Sequence, residues 1–252
     1  MSDRALQDAV IRALADAPYR ASPEWRGRGL ADASRVERYA RFLARHFYNE
    51  RIVNFFKYSR ALARITGRRP EAVLRQPGFD ALLSTLVLGS RDSARTVAAL
   101  VARYLSEGES AIPYRSDLLR YEAAMMVAEA GARIWREQGE GRRERAFPER
   151  VEGTVLLELE YDLPAVLPKL LQPWSEPPVA PRRATTLLVA RSPHGRVAVA
   201  RGNQAVAAVV ALADGKRTLD QLATRAGLDR AALEETLLGL IDLGAVRFST
   251  GS

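Results

Sequence analysis

The sequence predicts a mainly α-helical protein with a smaller α+β domain toward its C-terminal end. Apolar residues recur at three-to-four-residue spacing over most of residues 1–137, which is the period of an amphipathic helix. Beyond residue 150 that period gives way to short β-rich runs, then returns in three compact stretches. Between the two regimes, 137–150 (EQGEGRRERAFPER) is charged, contains Gly and Pro and has no period. This places a boundary between an N-terminal helical bundle, 1–150, and a second domain, 151–252.

In the first domain, MSDRALQDAVIRAL reads as an amphipathic helix rather than a signal peptide. Asp32 or Ser34 can cap a long helix from Arg35 to Ile65, with Val36, Tyr39, Leu43 and Phe47 in register and Ile52, Phe55, Phe56 and Leu62 continuing it. Gly67 can end that helix, and Pro70 suits the first turn of the next, Pro70–Arg75. Gln76-Pro77-Gly78 separates it from Phe79–Leu86, Ser90 caps Arg91–Leu105, and Pro113 opens a helix reaching about Glu137.

In the second domain, Thr154–Tyr161 alternates Val155, Leu157, Leu159 and Tyr161 with Leu156, Glu158 and Glu160, as a half-exposed strand does. A short helix follows Asp162, and the Pro-rich 172–183 is an extended connector. Thr185–Arg191 and Arg196–Arg201 form a hairpin around Ser-Pro-His-Gly. Gln204–Leu212, apolar nearly all round, is expected to be the most buried of three helices. Thr218 and Gln221 match a capping box opening the second, which Gly227 can end. Asp229 caps the third, Arg230–Asp242, with Leu233, Leu237 and Leu240 at helical spacing and Gly244 at its end. Ala245–Phe248 is a last short strand, and the whole order is winged-helix-like.

A winged helix that reads DNA needs basic or amide side chains on its second paired helix. Here that helix offers Arg230 against Glu234, Glu235 and Asp242. Carboxylates facing a polyanion weaken the phosphate attraction on which DNA affinity rests, so a peptide ligand fits better.

The run LLVARSPHGRVAVAR, QAVAAVVALADGKRTLDQLATRAG, LDRAALEETLLGLIDLGAV resembles the RiPP recognition element. This domain, related to the pyrroloquinoline-quinone biosynthesis peptide chaperone, binds leader peptides of ribosomally made, post-translationally modified peptides. The acidic strand, short helix, Pro-rich connector and hairpin (LLELEYDLPAVLPKLLQPWSEPPVAPRRATTLLVARSPHGRV) are similar to the C-terminal half of partner proteins of multinuclear non-haem iron-dependent oxidases. That resemblance extends upstream to RYARFLARHFYNERIVNFFKYSRALARITGRRPEAVLRQPGFDALL and PYRSDLLRYEAAMMVAEAG. It implies a leader peptide added as a strand beside Arg196, Val197, Ala198, Val199, Ala200 and Arg201, facing Leu233, Leu237 and Ile241. Which sheet edge accepts the peptide stays open, because the Thr154–Tyr161 strand offers another. It also implies a non-catalytic subunit with no cofactor of its own, the iron belonging to the partner oxidase.

Composition fits this reading. The net charge of +8 lies in the first part of the chain: residues 1–100 hold 18 Lys/Arg against 10 Asp/Glu, and the remainder holds 20 of each. Tyr39–Tyr58 interleaves Tyr39, Phe42, Phe47, Tyr48, Phe55, Phe56 and Tyr58 with arginines at helical spacing, so most rings are expected in the core. The resemblance assigns Arg41, Arg45, Tyr48, Arg51, Lys57, Arg60 and Arg64 to docking the partner enzyme. With no cysteine and two isolated histidines, His46 and His194, neither thiolate chemistry nor a metal site is expected, and the cytoplasm is the expected compartment. No phosphate loop or nucleophile elbow is present. The alternative is a winged-helix transcription regulator, favoured by an overall pI of 10.2.

Overall fold

A computed structural model describes residues 3–28, 33–108, 111–131 and 146–250. The chain divides into two compact units, Met1–Met126 and Val127–Ser252. It is mainly α-helical with small sheets, and no helix among the described residues is long and apolar enough to cross a membrane.

The first unit begins with α1 (Asp3–Ala15), α2 (Ala17–Ala21) and α3 (Pro23–Arg26). Each of the latter two starts on a side-chain cap with proline in the first turn: Asp16 accepts from the Tyr19 amide at 2.8 Å, and Ser22 from the Trp25 amide at 3.3 Å. Ala9, Ala13, Tyr19 and Trp25 pack as a small core. The expected long helix is interrupted. Helix α4 (Ala33–Phe55) stops at Phe56, and α5 (Lys57–Ala61) and α6 (Ala63–Thr66) follow as separate turns, ended at Gly67 with φ 67°. The expected Asp32 cap falls outside the described residues.

The cause of the break is Glu122. Its fully buried carboxyl group accepts from the Tyr58 and Ser59 amides at 2.8 and 3.1 Å and from the Ser59 hydroxyl. The first amides of a helix have no intrahelical partner, so a buried acceptor delivered from elsewhere caps α5 and fixes where it starts. Burial pushes the Glu122 carboxyl up to about 8, with the Ser59 and Tyr58 hydrogen bonds pulling the other way.

Pro70–Arg75 is a 3-10 rather than an α-helix. Then come α7 (Pro77–Leu82), α8 (Arg91–Ser106), capped by Ser90 as its sequence predicts, and α9 (Arg115–Glu129). The predicted continuation of α9 to Glu137 runs beyond the described residues.

The second unit holds β1 (Ala146–Arg150), β2 (Val155–Leu159), α10 (Leu163–Leu170), β3 (Thr185–Arg191), β4 (Val197–Gly202), α11 (Gln204–Leu212), α12 (Leu219–Ala226), α13 (Arg230–Asp242) and β5 (Val246–Thr250). The last five residues of the charged stretch that marked the boundary are thus a strand, and β1 pairs antiparallel with β5. Strands β2, β3 and β4 form an antiparallel sheet in that order. The α12 capping box and the Asp229 cap of α13 form as the sequence predicts.

One face of the sheet, with Leu188 and Ala190, packs on Val209, Val210, Leu222, Leu233, Leu237 and Leu240. On the other face Leu157, Leu159, Leu187 and Val189 are buried as well. Helix α11 is the least exposed of its group along its length, with two of nine residues exposed against four of eight in α12 and seven of thirteen in α13, although only Val209 and Val210 are fully buried. Its remaining apolar positions are mostly alanines, too short to reach a core and inexpensive to expose.

Candidate functional site

Among the described residues, neither β2 nor β4 is paired on its outer side, so the three-stranded sheet has two open edges. The β3–β4 turn decides which groups face outward on β4. The Ser192 amide donates to the Arg196 carbonyl at 2.7 Å and the Gly195 amide to the Ser192 carbonyl at 2.8 Å, with Gly195 at φ 77°. This is a G1-bulge turn, and it makes Ser192 and Arg196 a hydrogen-bonded pair.

Bonded and non-bonded pairs alternate along an antiparallel ladder. Ala190 with Ala198, Leu188 with Ala200 and Thr186 with Gly202 are therefore the bonded pairs. The amides and carbonyls of Val197, Val199 and Arg201 point to the open side, three donor–acceptor sets in the geometry a further strand requires. The same alternation turns the amides of Leu156 and Glu158 outward on β2.

The two edges differ in side chains. On β2, Glu158 is exposed and Glu160 follows it, also exposed, beside Arg182 at 3.7 Å. On β4, Ala198, Ala200 and Gly202 share one face with Leu188 and Ala190 of β3, while Val197 and Val199 on the other face are half-buried. Charges along an edge discourage strand addition, and small apolar residues permit it.

The far end of β4 is anchored. Arg201 donates from Nη2 to the Asp162 carboxylate at 2.6 Å, and Arg183 makes a second charge-assisted bond to it. The Asp162 side chain is 3 % exposed. Burial alone would push its carboxyl up, but the two guanidiniums outweigh that and hold it below the usual aspartate value.

On α13, Leu233 and Leu237 are 0 % and 3 % exposed, inside the core. The expectation that they face a peptide is thereby corrected: they lie on the stripe that packs against α11 and the sheet. Ile241 is half-buried, and Leu238, absent from the expected set, is 64 % exposed. The spacing carried that signal, since Leu238 lies about 100° round the helix from Leu237 and farther still from Leu233 and Leu240, off the stripe those three share.

The expected enzyme-docking residues divide. Tyr48 is 1 % exposed, so it cannot contact a partner, and burial pushes its hydroxyl up to about 12. Arg45 reaches inward to the Leu74 carbonyl and Asp80. Arg51 lies over the Phe47 ring at 3.6 Å, Lys57 over Tyr58 at 5.0 Å, and Arg60 pairs with Glu71 at 3.3 Å. Arg41 is 3.9 Å from Glu37, and Arg64 is exposed. Much of the basic surface is thus matched by carboxylates or rings of the same unit.

Among the described residues no three His, Cys, Asp or Glu side chains gather as metal ligands. His46 sits 3.4 Å from Glu50, and His194 is exposed in the hairpin turn. Comparison with known families and with curated proteins found no match to this chain.

Proposed function

We propose that the second unit captures an extended peptide by strand addition along β4, and that this peptide is the leader of a ribosomally made precursor, as in a winged-helix-like RiPP recognition element. The chain then acts as a non-catalytic partner that presents the precursor core to an iron-dependent oxidase. The reading rests on one observation above all: β4 offers the outward groups of Val197, Val199 and Arg201 with no charge among Val197–Ala200 to repel a strand. Backbone hydrogen bonds supply affinity in this mode and side-chain pockets supply selectivity. Tethering one end of a precursor raises the effective concentration of its other end at the enzyme.

Against DNA binding stands α13, whose one arginine donates to Glu234 at 2.6 Å and Asp220 at 2.6 Å, carboxylates that a phosphate would have to displace.

The test is co-expression with a candidate oxidase and the short precursor encoded beside it, followed by hydrogen exchange on the purified complex. Slowed exchange at Val197, Val199 and Arg201 on adding the leader supports the reading. Unchanged exchange there, or sequence-selective duplex binding that depends on Arg230–Asp242, overturns it.

A further inference from the structure

From a separate surface, we infer that the cleft between α1 and α4 is a docking groove for an acidic amphipathic helix of a partner protein. The peptide edge of the second unit plays no part in this inference. The cleft has a volume of about 610 Å³ and is floored by Val10 and Leu14 from α1 and Val36 from α4. Its open side carries Tyr39 and Phe42, 53 % and 61 % exposed, and Ile11 is 56 % exposed on α1. Tyr39 and Phe42, in contact with each other and each more than half exposed on one cleft, form a contiguous feature of the kind that marks an interaction site rather than the scattered exposure normal for a surface.

The rings are held ready. Tyr39 and Phe42 stack at 6.2 Å between centroids with planes 19° apart, and Phe42 stacks on His46 at 6.3 Å and 8°. This row runs along α4 at helical spacing, so it presents one continuous ridge. The lining from Arg35 to Phe42 rises about 10 Å along α4, which suits roughly two turns of an opposing helix.

Charge selects the occupant. Arg35 and Arg38 line the cleft, and Arg41 stands exposed beside them on α4. Glu37, the one carboxylate between Ala33 and Asn49, is shared by Arg20 at 2.8 Å and Arg41 at 3.9 Å, so the arginines of this stretch outnumber it. An apolar floor with a cationic rim matches a helix with leucine-like anchors on one face and carboxylates flanking them. A nucleic acid fits less well, because the aliphatic floor of Val10, Leu14 and Val36 side chains offers a base no hydrogen-bonding group, and the oligothymidine probe below tests whether the exposed rings stack bases instead.

The test uses the full chain with three fluorescent probes. One is a synthetic helix of about 18 residues, or five turns, with Leu at helix-spaced positions and Glu around them. The second replaces every Glu by Lys, and the third is a single-stranded oligothymidine. The acidic helix is expected to bind, more weakly as salt rises, and the Lys helix not to bind. Phe42→Ala should weaken binding about tenfold, as expected for an aromatic anchor. Arg38→Glu should weaken the acidic helix and admit the Lys helix. Both residues are exposed, so unchanged melting curves confirm that the variants are folded. Val199→Pro should leave this binding untouched, which separates the groove from the peptide edge. The inference is overturned if the acidic helix fails to bind, if the Lys helix binds equally, if the oligonucleotide displaces the acidic helix, or if Phe42→Ala abolishes only a self-association of the chain.

Discussion

The two edges of the β2–β3–β4 sheet have the same backbone pattern and opposite side chains. Both turn alternate amides outward, yet β2 places Glu158 and the following Glu160 along its rim, whereas β4 has alanines and valines up to Arg201. Hydrogen-bonding capacity alone therefore does not make an edge a binding site. What distinguishes them is whether an incoming strand meets repulsion and desolvation cost or an apolar surface.

The largest effect should come from beneath the open edge. Gly244 has φ 78°, and a Cβ there would overlap the carbonyl oxygen of Arg191, where β3 enters the hairpin. Gly244→Ala combines a left-handed strain with backbone overlap and should cost several kcal/mol, read as a large fall in denaturation midpoint of the second unit. Next comes a paired test on β4 itself. Ala198→Pro deletes an amide bonded to Ala190 and should cost about 3 kcal/mol of stability, whereas Val199→Pro removes an outward amide, should fold, and should lose leader binding. Normal leader binding by folded Val199→Pro would mean that β4 is not the docking edge.

Asp162→Asn should act more mildly, loosening the end of β4. Because the native carboxyl titrates below its ordinary value, its contribution is present above the usual aspartate range and lost as pH falls through the lowered native value. The variant should thus melt a few degrees lower than the parent at neutral pH, with the gap closing in acid. Least disturbing to stability is Glu158→Val, a change at an exposed position. It should leave the melting point within error while introducing concentration-dependent association through β2, measurable by sedimentation.

Local signals made much of this architecture legible. The Thr218–Gln221 capping box, the Ser90 and Asp229 caps and the hairpin at Ser192–Gly195 each depend on a few consecutive residues, and each forms where it is read. Features set by distant residues were not legible. Nothing near Phe56 announces a helix break, because its cause is Glu122, more than sixty positions away. The pairing of β1 with β5 joins segments about a hundred residues apart, and β1 includes a proline and charges that mask its pattern. At the candidate site the sequence pointed to the β4 strand, but the face of α13 required the fold, since spacing identifies a stripe without saying what lies over it. Leu233 and Leu237 belong to a genuine apolar stripe, and the core claims it.

The Glu122 cap carries a consequence in protons. A carboxyl that burial pushes up to about 8 in the fold, from an ordinary 4.5, obliges the chain to take up a proton as it folds anywhere between those values. What this group contributes to the stability of the first unit is fully present below its ordinary value and is lost as pH rises toward about 8. Glu122→Gln keeps an acceptor for the Tyr58 and Ser59 amides and replaces the oxygen that accepts from the Ser59 hydroxyl by an amide that can donate to it, so it should flatten this dependence while α5 stays capped. The junction between α4 and α5 is thus a joint whose firmness follows the proton concentration around it, and in alkali it should be the first part of the unit to open.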